Sequence, residues 1–322
     1  MSRDNGATWS TPSEIASLGR HDLETAGWEE GVCDFVPDWH RPSGRLLGIG
    51  HNVYYQDGVL AKPQRKRWPV YSVRDPEGGW SEAGKLEYDD PRMTEIYTSG
   101  CAQRVTLENG EIILPCSWAP EGREDRAVGS LRCAFDGEVM TALESGNELC
   151  LAEGRGLLEP TVTRLEGRFY MTIRAEDGRG YISTSEDGLH WTPQKPWTWD
   201  DGEPLGMSTT QQRWLTHSIG LYLVYTRKAA HNVNVMRWRS PLYLAEVDTE
   251  RLCLIRESER EAFPLIGDGI DDPDHVARMG NFMPVNATVG ETLPADGWKG
   301  DTLLARVKWT RPNYELGWRE PV

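Results

Sequence analysis

Basic side chains are in short supply: 35 Lys and Arg stand against 50 Asp and Glu in 322 residues, a formal charge of −15. That balance argues against nucleic acid or an anionic membrane as partner, since both are gripped by clustered cations. A few arginines gathered in one cleft still suffice for a small anion, because salt screens the remaining surface beyond ~8 Å. The sequence has no run of eighteen apolar residues, hence no helical membrane span. No segment sustains a 3.6-residue apolar period, so few or no helices are expected. The six cysteines (Cys33, Cys101, Cys116, Cys133, Cys150 and Cys253) include no C-x-x-C pair and mostly fall in apolar strand runs. Buried free thiols are the expectation, with no metal and no other cofactor. The acidic run from Gly267 to Asp274 lacks the spacing of a calcium loop and reads as a solvated connection. No Pro- or Ser-rich linker interrupts the chain, so residues 1–322 are expected to form a single domain.

Tryptophan, by contrast, is plentiful, with 14 residues. The most informative stretch, 159–191, holds three short apolar runs separated by Glu166-Gly167-Arg168 and Asp177-Gly178, the pattern of antiparallel strands joined by tight turns. It closes on Ser185-Glu186-Asp187-Gly188-Leu189-His190-Trp191. This is an Asp-box, a hairpin turn in which Ser and Asp side chains bond turn amides while Trp packs beneath. A second copy is Ser2-Arg3-Asp4-Asn5-Gly6-Ala7-Thr8-Trp9. A third, degenerate copy is Asp75-Pro76-Glu77-Gly78-Gly79-Trp80, with Val73 where Ser is expected. Three copies point to a repeat architecture with an aromatic anchor in each unit.

Taken in order, strands are expected at 31–39, 45–52 and 68–74, then at 100–107, 111–118, 128–135 and 139–143, then through 159–184. A fourth group lies at 209–216, 221–226, 240–247 and 252–255, and a fifth at 281–289 and 302–309 with a weak segment near Glu291. The fold class is all-β, a β-propeller of four-stranded antiparallel blades, five to six in number, of which the chain supplies about five equivalents. A β-sandwich is the alternative. The last group lacks an outer strand, and joining it to the N-terminal residues would complete one blade and cover two sheet edges. The chain opens directly inside an Asp-box, with no basic-then-apolar export signal. A cytoplasmic location is expected for the sequence as given, and a secreted or periplasmic one if the N-terminus is truncated within a blade.

The central stretch resembles the Asp-box sialidases (neuraminidases) and the wider sialidase-like propeller superfamily. There, a strand opens on a glutamate, the next ends on an arginine, and an Asp-box follows; Glu159, Arg174 and the Asp187 turn stand in that relation. The resemblance implies that Arg174 belongs to an arginine triad clamping a substrate carboxylate and that Glu159 is the acid supporting a tyrosine nucleophile. Arg239, ahead of Ser240-Pro241-Leu242, resembles a second triad member, and Arg237 competes for the place. The implied activity is a sialidase-like glycoside hydrolase acting on a terminal acidic sugar of a glycan. Two departures weaken it: the Phe/Tyr-Arg-Ile-Pro segment is absent, and Gly280-Asn281-Phe282-Met283 has no tyrosine where the nucleophile would stand.

Histidines are the other groups able to move a proton near neutrality. His51, in Gly48-Ile49-Gly50-His51-Asn52, is flanked by glycines that permit close approach of a ligand. His217 follows Gln211-Gln212-Arg213-Trp214, a polar and aromatic run suited to sugars. His231 lies on a loop near Tyr225 and Arg227, while His190 sits in an Asp-box turn and reads as inert. Glu159, His51 and His217 are therefore the catalytic candidates. Arg174, Arg239, Arg237, Gln211, Gln212, Tyr225 and Arg227 are the substrate-binding ones. Two further readings stay open: a uronate lyase or rhamnosidase-type propeller using a histidine base with an arginine on the carboxylate, and a non-catalytic glycan-binding propeller.

Overall fold

The computed structural model describes residues 2–315, and they form an all-β chain of five antiparallel sheets, the blades of a β-propeller. Among the described residues helix is limited to five three-residue 3₁₀ turns. Among the described residues no helix is long and apolar enough to cross a membrane.

By compactness the chain divides into two units. The first comprises Ser10–Val162 with Ser185–Trp191. Its first sheet contains β1 (His21–Asp22), β2 (Trp28–His40), β3 (Arg45–Gln56), β4 (Val59–Leu60), β5 (Pro69–Arg74) and β6 (Gly84–Lys85). Its second contains β7 (Ile96–Thr98), β8 (Val105–Thr106), β9 (Ile112–Ala119), β10 (Ala127–Phe135) and β11 (Met140–Ser145). Leu47 and Ile49 of β3 pack with Ile112, Leu114 and Trp118 of β9 and with Leu131 of β10, all essentially inaccessible. Each such aliphatic side chain contributes about 1.5–3 kcal/mol by leaving water.

The long hairpin β2–β3 is broken by a bulge between Cys33 and Val36. Asp34 within it takes a left-handed backbone, φ 54°. β3 accommodates the bulge because it carries glycines. A Cβ on Gly48 would lie 1.9 Å from the Phe35 ring, and one on Gly50 would lie 2.6 Å from the Cys33 carbonyl oxygen. A bulge of this kind bends the strand and re-aims its side chains. The strand expected at 100–107 is reduced to Val105–Thr106. The chain before it is drawn onto the bulge instead: Cys101 N–H donates to the Asp34 carbonyl, and the buried Arg104 guanidinium donates to the carbonyls of Val36 and Leu47.

The Asp-box at Ser185–Trp191 makes the bonds its sequence demands. Ser185 Oγ accepts from Gly188 N–H at 2.9 Å, and Asp187 Oδ1 accepts from the amides of Leu189 and His190 at 2.8 Å each. Trp191, 4% exposed, donates its indole N–H to Ser130 Oγ at 2.8 Å. At 75–80 the turn is looser, with Asp75 Oδ1 accepting from Glu77 N–H. Beyond Trp80, the Ser81 hydroxyl accepts from Val73 N–H, as the Thr192 hydroxyl does from Thr184 N–H after Trp191.

The second unit comprises Ser2–Trp9, Thr163–Thr184 and the chain from Thr192 onward. β12 (Leu158–Leu165), whose first residues count with the first unit, opens the third sheet, continued by β13 (Arg168–Arg174), β14 (Gly180–Ser185) and β15 (Lys195–Pro196). The fourth holds β16 (Arg213–His217), β17 (Gly220–Tyr225), β18 (Leu242–Asp248), β19 (Cys253–Leu254) and β20 (Arg260–Phe263). The fifth holds β21 (Met283–Thr288), β22 (Glu291–Trp298), β23 (Asp301–Leu304) and β24 (Val307–Lys308). Trp197, Trp199, Trp214, Tyr225 and Tyr243 fill one core of this unit, and Leu215, Val224, Leu242 and Phe282 another.

Four expectations change here. The segment near Glu291 is an eight-residue strand, central to its sheet. The strand expected from residue 209 begins only at Arg213, because Ser208, Thr210, Gln211 and Gln212 are buried polar residues bonded through their side chains rather than through a ladder. The N-terminal turn adds no strand. Residues 2–9 form the Asp4 box, with Gly6 against Leu304 and Leu293 and Arg306 donating to the Asn5 carbonyl at 2.8 Å. All six cysteines are free thiols, but Cys150 is exposed and Cys33 half-buried, departing from the expectation of burial.

Candidate functional site

In the second unit Arg174, the last residue of β13, is 5% exposed and donates from Nε to Thr209 Oγ1 at 2.9 Å. Arg239, a few residues before β18, donates from Nε to Thr210 Oγ1 at 3.1 Å. Two arginines from different sheets are thus pinned by consecutive hydroxyls of one loop. Anchoring at Nε fixes the plane of each guanidinium fork. The loop is itself tied down. Gln211 Nε2 donates to Asn281 Oδ1 at 2.7 Å, Arg213 donates to Gln211 Oε1, and Thr172 donates its hydroxyl to Gln212 Oε1. Arg239 lies over Gly280, where a Cβ would come 2.7 Å from its Nη1. Glycine is what leaves room for the guanidinium.

Asp296 of β22 stands behind this arrangement. Burial pushes its carboxyl above the usual carboxylate range, against the opposing pull of the Gly297, Asn281 and Gly280 amides and of the Arg239 charge. The carboxyl therefore links the Gly280–Asn281 backbone, on which Arg239 rests, to the fifth sheet.

In the first unit His51 on β3 is directly opposite Cys33 on β2 and is 7% exposed. Its Nε2 lies 3.9 Å from Asp34 Oδ2, and Nδ1 is buried without a hydrogen-bond partner. Burial, with the charges of Arg67 and Arg126, outweighs Asp34 and Glu159 and brings the imidazole down to about 4. Burial and the neighbouring Asp34 push the Cys33 thiol up to about 12. Glu159, left-handed at φ 42° near the start of β12, donates its amide N–H to Ser117 Oγ at 3.1 Å.

The remaining candidates are placed as follows. His217 is buried; its Nδ1 accepts from Ile219 N–H and its Nε2 faces the Arg311 carbonyl at 3.1 Å. Tyr225 donates its hydroxyl to Glu259 Oε1 at 2.5 Å, and Arg227 forms an ion pair with the same carboxylate, making a closed trio beside the tryptophan core. Arg237 is exposed, with φ 56°. His231 is exposed, and His190 bonds Asp187 Oδ2 at 2.6 Å within its turn. Phe282 is fully buried and offers no hydroxyl. Sequence reasoning missed Thr209, Thr210, Asp296, Cys33 and Asp34. For the last two the sequence held half a signal: the unbroken hairpin register sets Asp34 across from His51, and the bulge moves Cys33 into that place.

No family model matches the sequence, and no curated protein matches it. Among solved structures the chain is similar to the Trypanosoma rangeli sialidase, with a TM-score of 0.59 and 16% identity over 95% of this chain and 48% of that one. That enzyme is also known in complex with sialic acid. The NanB sialidase of Streptococcus pneumoniae gives a TM-score of 0.63 at 11% identity, over 95% of this chain and 62% of that one. A Dyadobacter fermentans protein of unknown function gives 0.57 at 13% identity, over 86% and 75%. The fold is a sialidase-like β-propeller. The chain spans 48% and 62% of the two sialidases, and likeness at this level of identity carries the fold and not the activity.

Proposed function

We propose that this sialidase-like propeller recognises a terminal acidic sugar of a glycan, holding the sugar's carboxylate with Arg174 and Arg239. The observation that carries the reading is the pinning of both arginines at Nε by the adjacent hydroxyls of Thr209 and Thr210, which orients two guanidinium forks from one loop. The complex of the Trypanosoma rangeli sialidase with sialic acid supports the same substrate class. Bidentate Arg–carboxylate bonds contribute about 1.5–3 kcal/mol each when charge-assisted. Hydrolysis of the glycosidic bond is the activity proposed for this recognition. The absence of a tyrosine from Gly280–Met283 leaves direct attack by water as the route to be tested rather than a tyrosyl intermediate.

Calorimetry with free sialic acid tests the recognition. Arg174→Ala and Arg239→Ala are each expected to weaken binding by about 10–100-fold, whereas Arg237→Ala leaves it unchanged. Turnover of a chromogenic sialoside makes the protein a hydrolase. Binding without turnover makes it a glycan-binding propeller, and a rise in ultraviolet absorbance with a uronate polymer makes it a lyase. Undiminished binding in both arginine variants would remove the basis of the reading.

A further inference from the structure

We propose that Cys33, Asp34 and His51 form a binding site for one divalent cation of the zinc class. The inference stands apart from the acidic-sugar reading and uses none of its residues. The donor atoms of the three side chains all lie within 4.8 Å of one another. Ligands sharing one tetrahedral zinc stand about 3.3–3.7 Å apart, so modest side-chain rotation closes the set. Thiolate, imidazole and carboxylate are the three donor types zinc takes from proteins, and three of them leave the fourth position open to water or a ligand.

The fold brings these residues together by construction. Cys33 and His51 are cross-strand partners, and the β2 bulge turns Asp34 out of the ladder toward them. Gly50 and Gly48 give the bulge its space, and a Cβ on Gly100 would lie 2.3 Å from His51 Nδ1, so the imidazole also depends on a glycine there. The second observation is the state of His51. It is more than nine-tenths buried, Nδ1 has no hydrogen-bond partner, and Nε2 is 3.9 Å from Asp34 Oδ2, beyond hydrogen-bond reach. A buried imidazole that makes no hydrogen bond is costly to fold, and a cation between Nε2 and the carboxylate gives the ring its one bonded partner, on the nitrogen that faces Asp34. Binding is balanced in charge and atoms. The cation bonds to sulfur, the Cys33 S–H bond breaks, and its proton leaves to solvent. Thiolate and Asp34 then match the two positive charges. Arg67, whose charge acts on both Cys33 and Asp34, is the cation's resident competitor.

The test uses the full chain stripped with a chelator and titrated with Co²⁺ alone, a spectroscopic stand-in for zinc. The expected result is one equivalent bound with a near-ultraviolet sulfur-to-cobalt charge-transfer band, bleached by Zn²⁺. Cys33→Ser loses the band, and His51→Gln and Asp34→Asn weaken binding by about 100-fold. Cys150→Ser and Cys253→Ser leave the spectrum unchanged. Circular dichroism confirms that each variant is folded. If Cys33→Ser fails to fold, the His51 and Asp34 variants decide on affinity. No band at excess cobalt, a band that survives Cys33→Ser, or undiminished affinity in both His51→Gln and Asp34→Asn overturns the proposal.

Discussion

The arginine pair of the second unit and the Cys33–Asp34–His51 group of the first are built in opposite senses. Arg174 and Arg239 are cations whose guanidinium planes are set by adjacent hydroxyls of one loop. Cys33, Asp34 and His51 are an acceptor-rich set in which the imidazole makes no hydrogen bond at all. The contrast is with Arg227, whose charge is closed off by Glu259 and Tyr225 and which stabilises its sheet. An ionisable group fully paired within the fold reads as structure. Groups from distant parts of the chain oriented by one loop read as a candidate site.

The comparison breaks most visibly if the arginines are removed together. Arg174→Ala with Arg239→Ala is expected to abolish acidic-sugar binding measurable by calorimetry, while Arg227→Ala lowers the melting temperature and leaves binding to the folded protein in place. Next in size is a purely structural change. Asp187→Ala removes a carboxylate that accepts two turn amides and should cost about 1–2 kcal/mol in urea unfolding, as loss of a helix cap does. Burial opposes ionisation of Asp187, but the His190 amide and side chain, the Leu189 amide and the Ser185 hydroxyl together hold its carboxyl well below the usual range. Its contribution to stability is therefore present above the ordinary carboxylate pKa and is lost as pH falls through the depressed one. Asp187→Ala should accordingly flatten the acid limb of the stability profile.

Asp296 carries the opposite sign. Its carboxyl is raised in the folded state, so the stability it confers is present at acid pH and is lost as pH rises through the folded value. Asp296→Asn, which keeps the carbonyl acceptor for the Gly297 amide, should match the parent at pH 4 and exceed it modestly at pH 7 in thermal unfolding. The smallest effect is expected from Thr209→Val and Thr210→Val. Each removes a hydroxyl acceptor and should weaken sugar binding by about 3–10-fold, through the orientation of the arginine and not through its charge.

Much of the architecture was legible because it rests on local signals. The hairpin turns at Asp136-Gly137 and Asp177-Gly178 separate strands as expected, and the Asp187 box makes its bonds within seven residues. Arg174 was legible by its place at a strand end. What escaped depends on contacts distant in sequence. Residues 209–212 alternate well enough to resemble a strand, yet their side chains bond Arg174, Thr172 and Asn281, which no local pattern reports. The segment after Glu291 looked weak because Pro294, Asp296 and Gly297 interrupt its apolar run, although it is the central strand of its sheet. Cys33 and Asp34 were passed over because a bulge, which shifts the register by an added residue, decides where they point.

The central claim is that this propeller reads a carboxylate with Arg174 and Arg239. It is tested most directly by calorimetric binding of sialic acid alongside its methyl ester, which keeps the sugar and removes the charge. The account predicts that the free acid binds, that the ester does not, and that Arg174→Ala and Arg239→Ala abolish the difference. Equal binding of acid and ester, or a preference for the acid that persists in both variants, would contradict it.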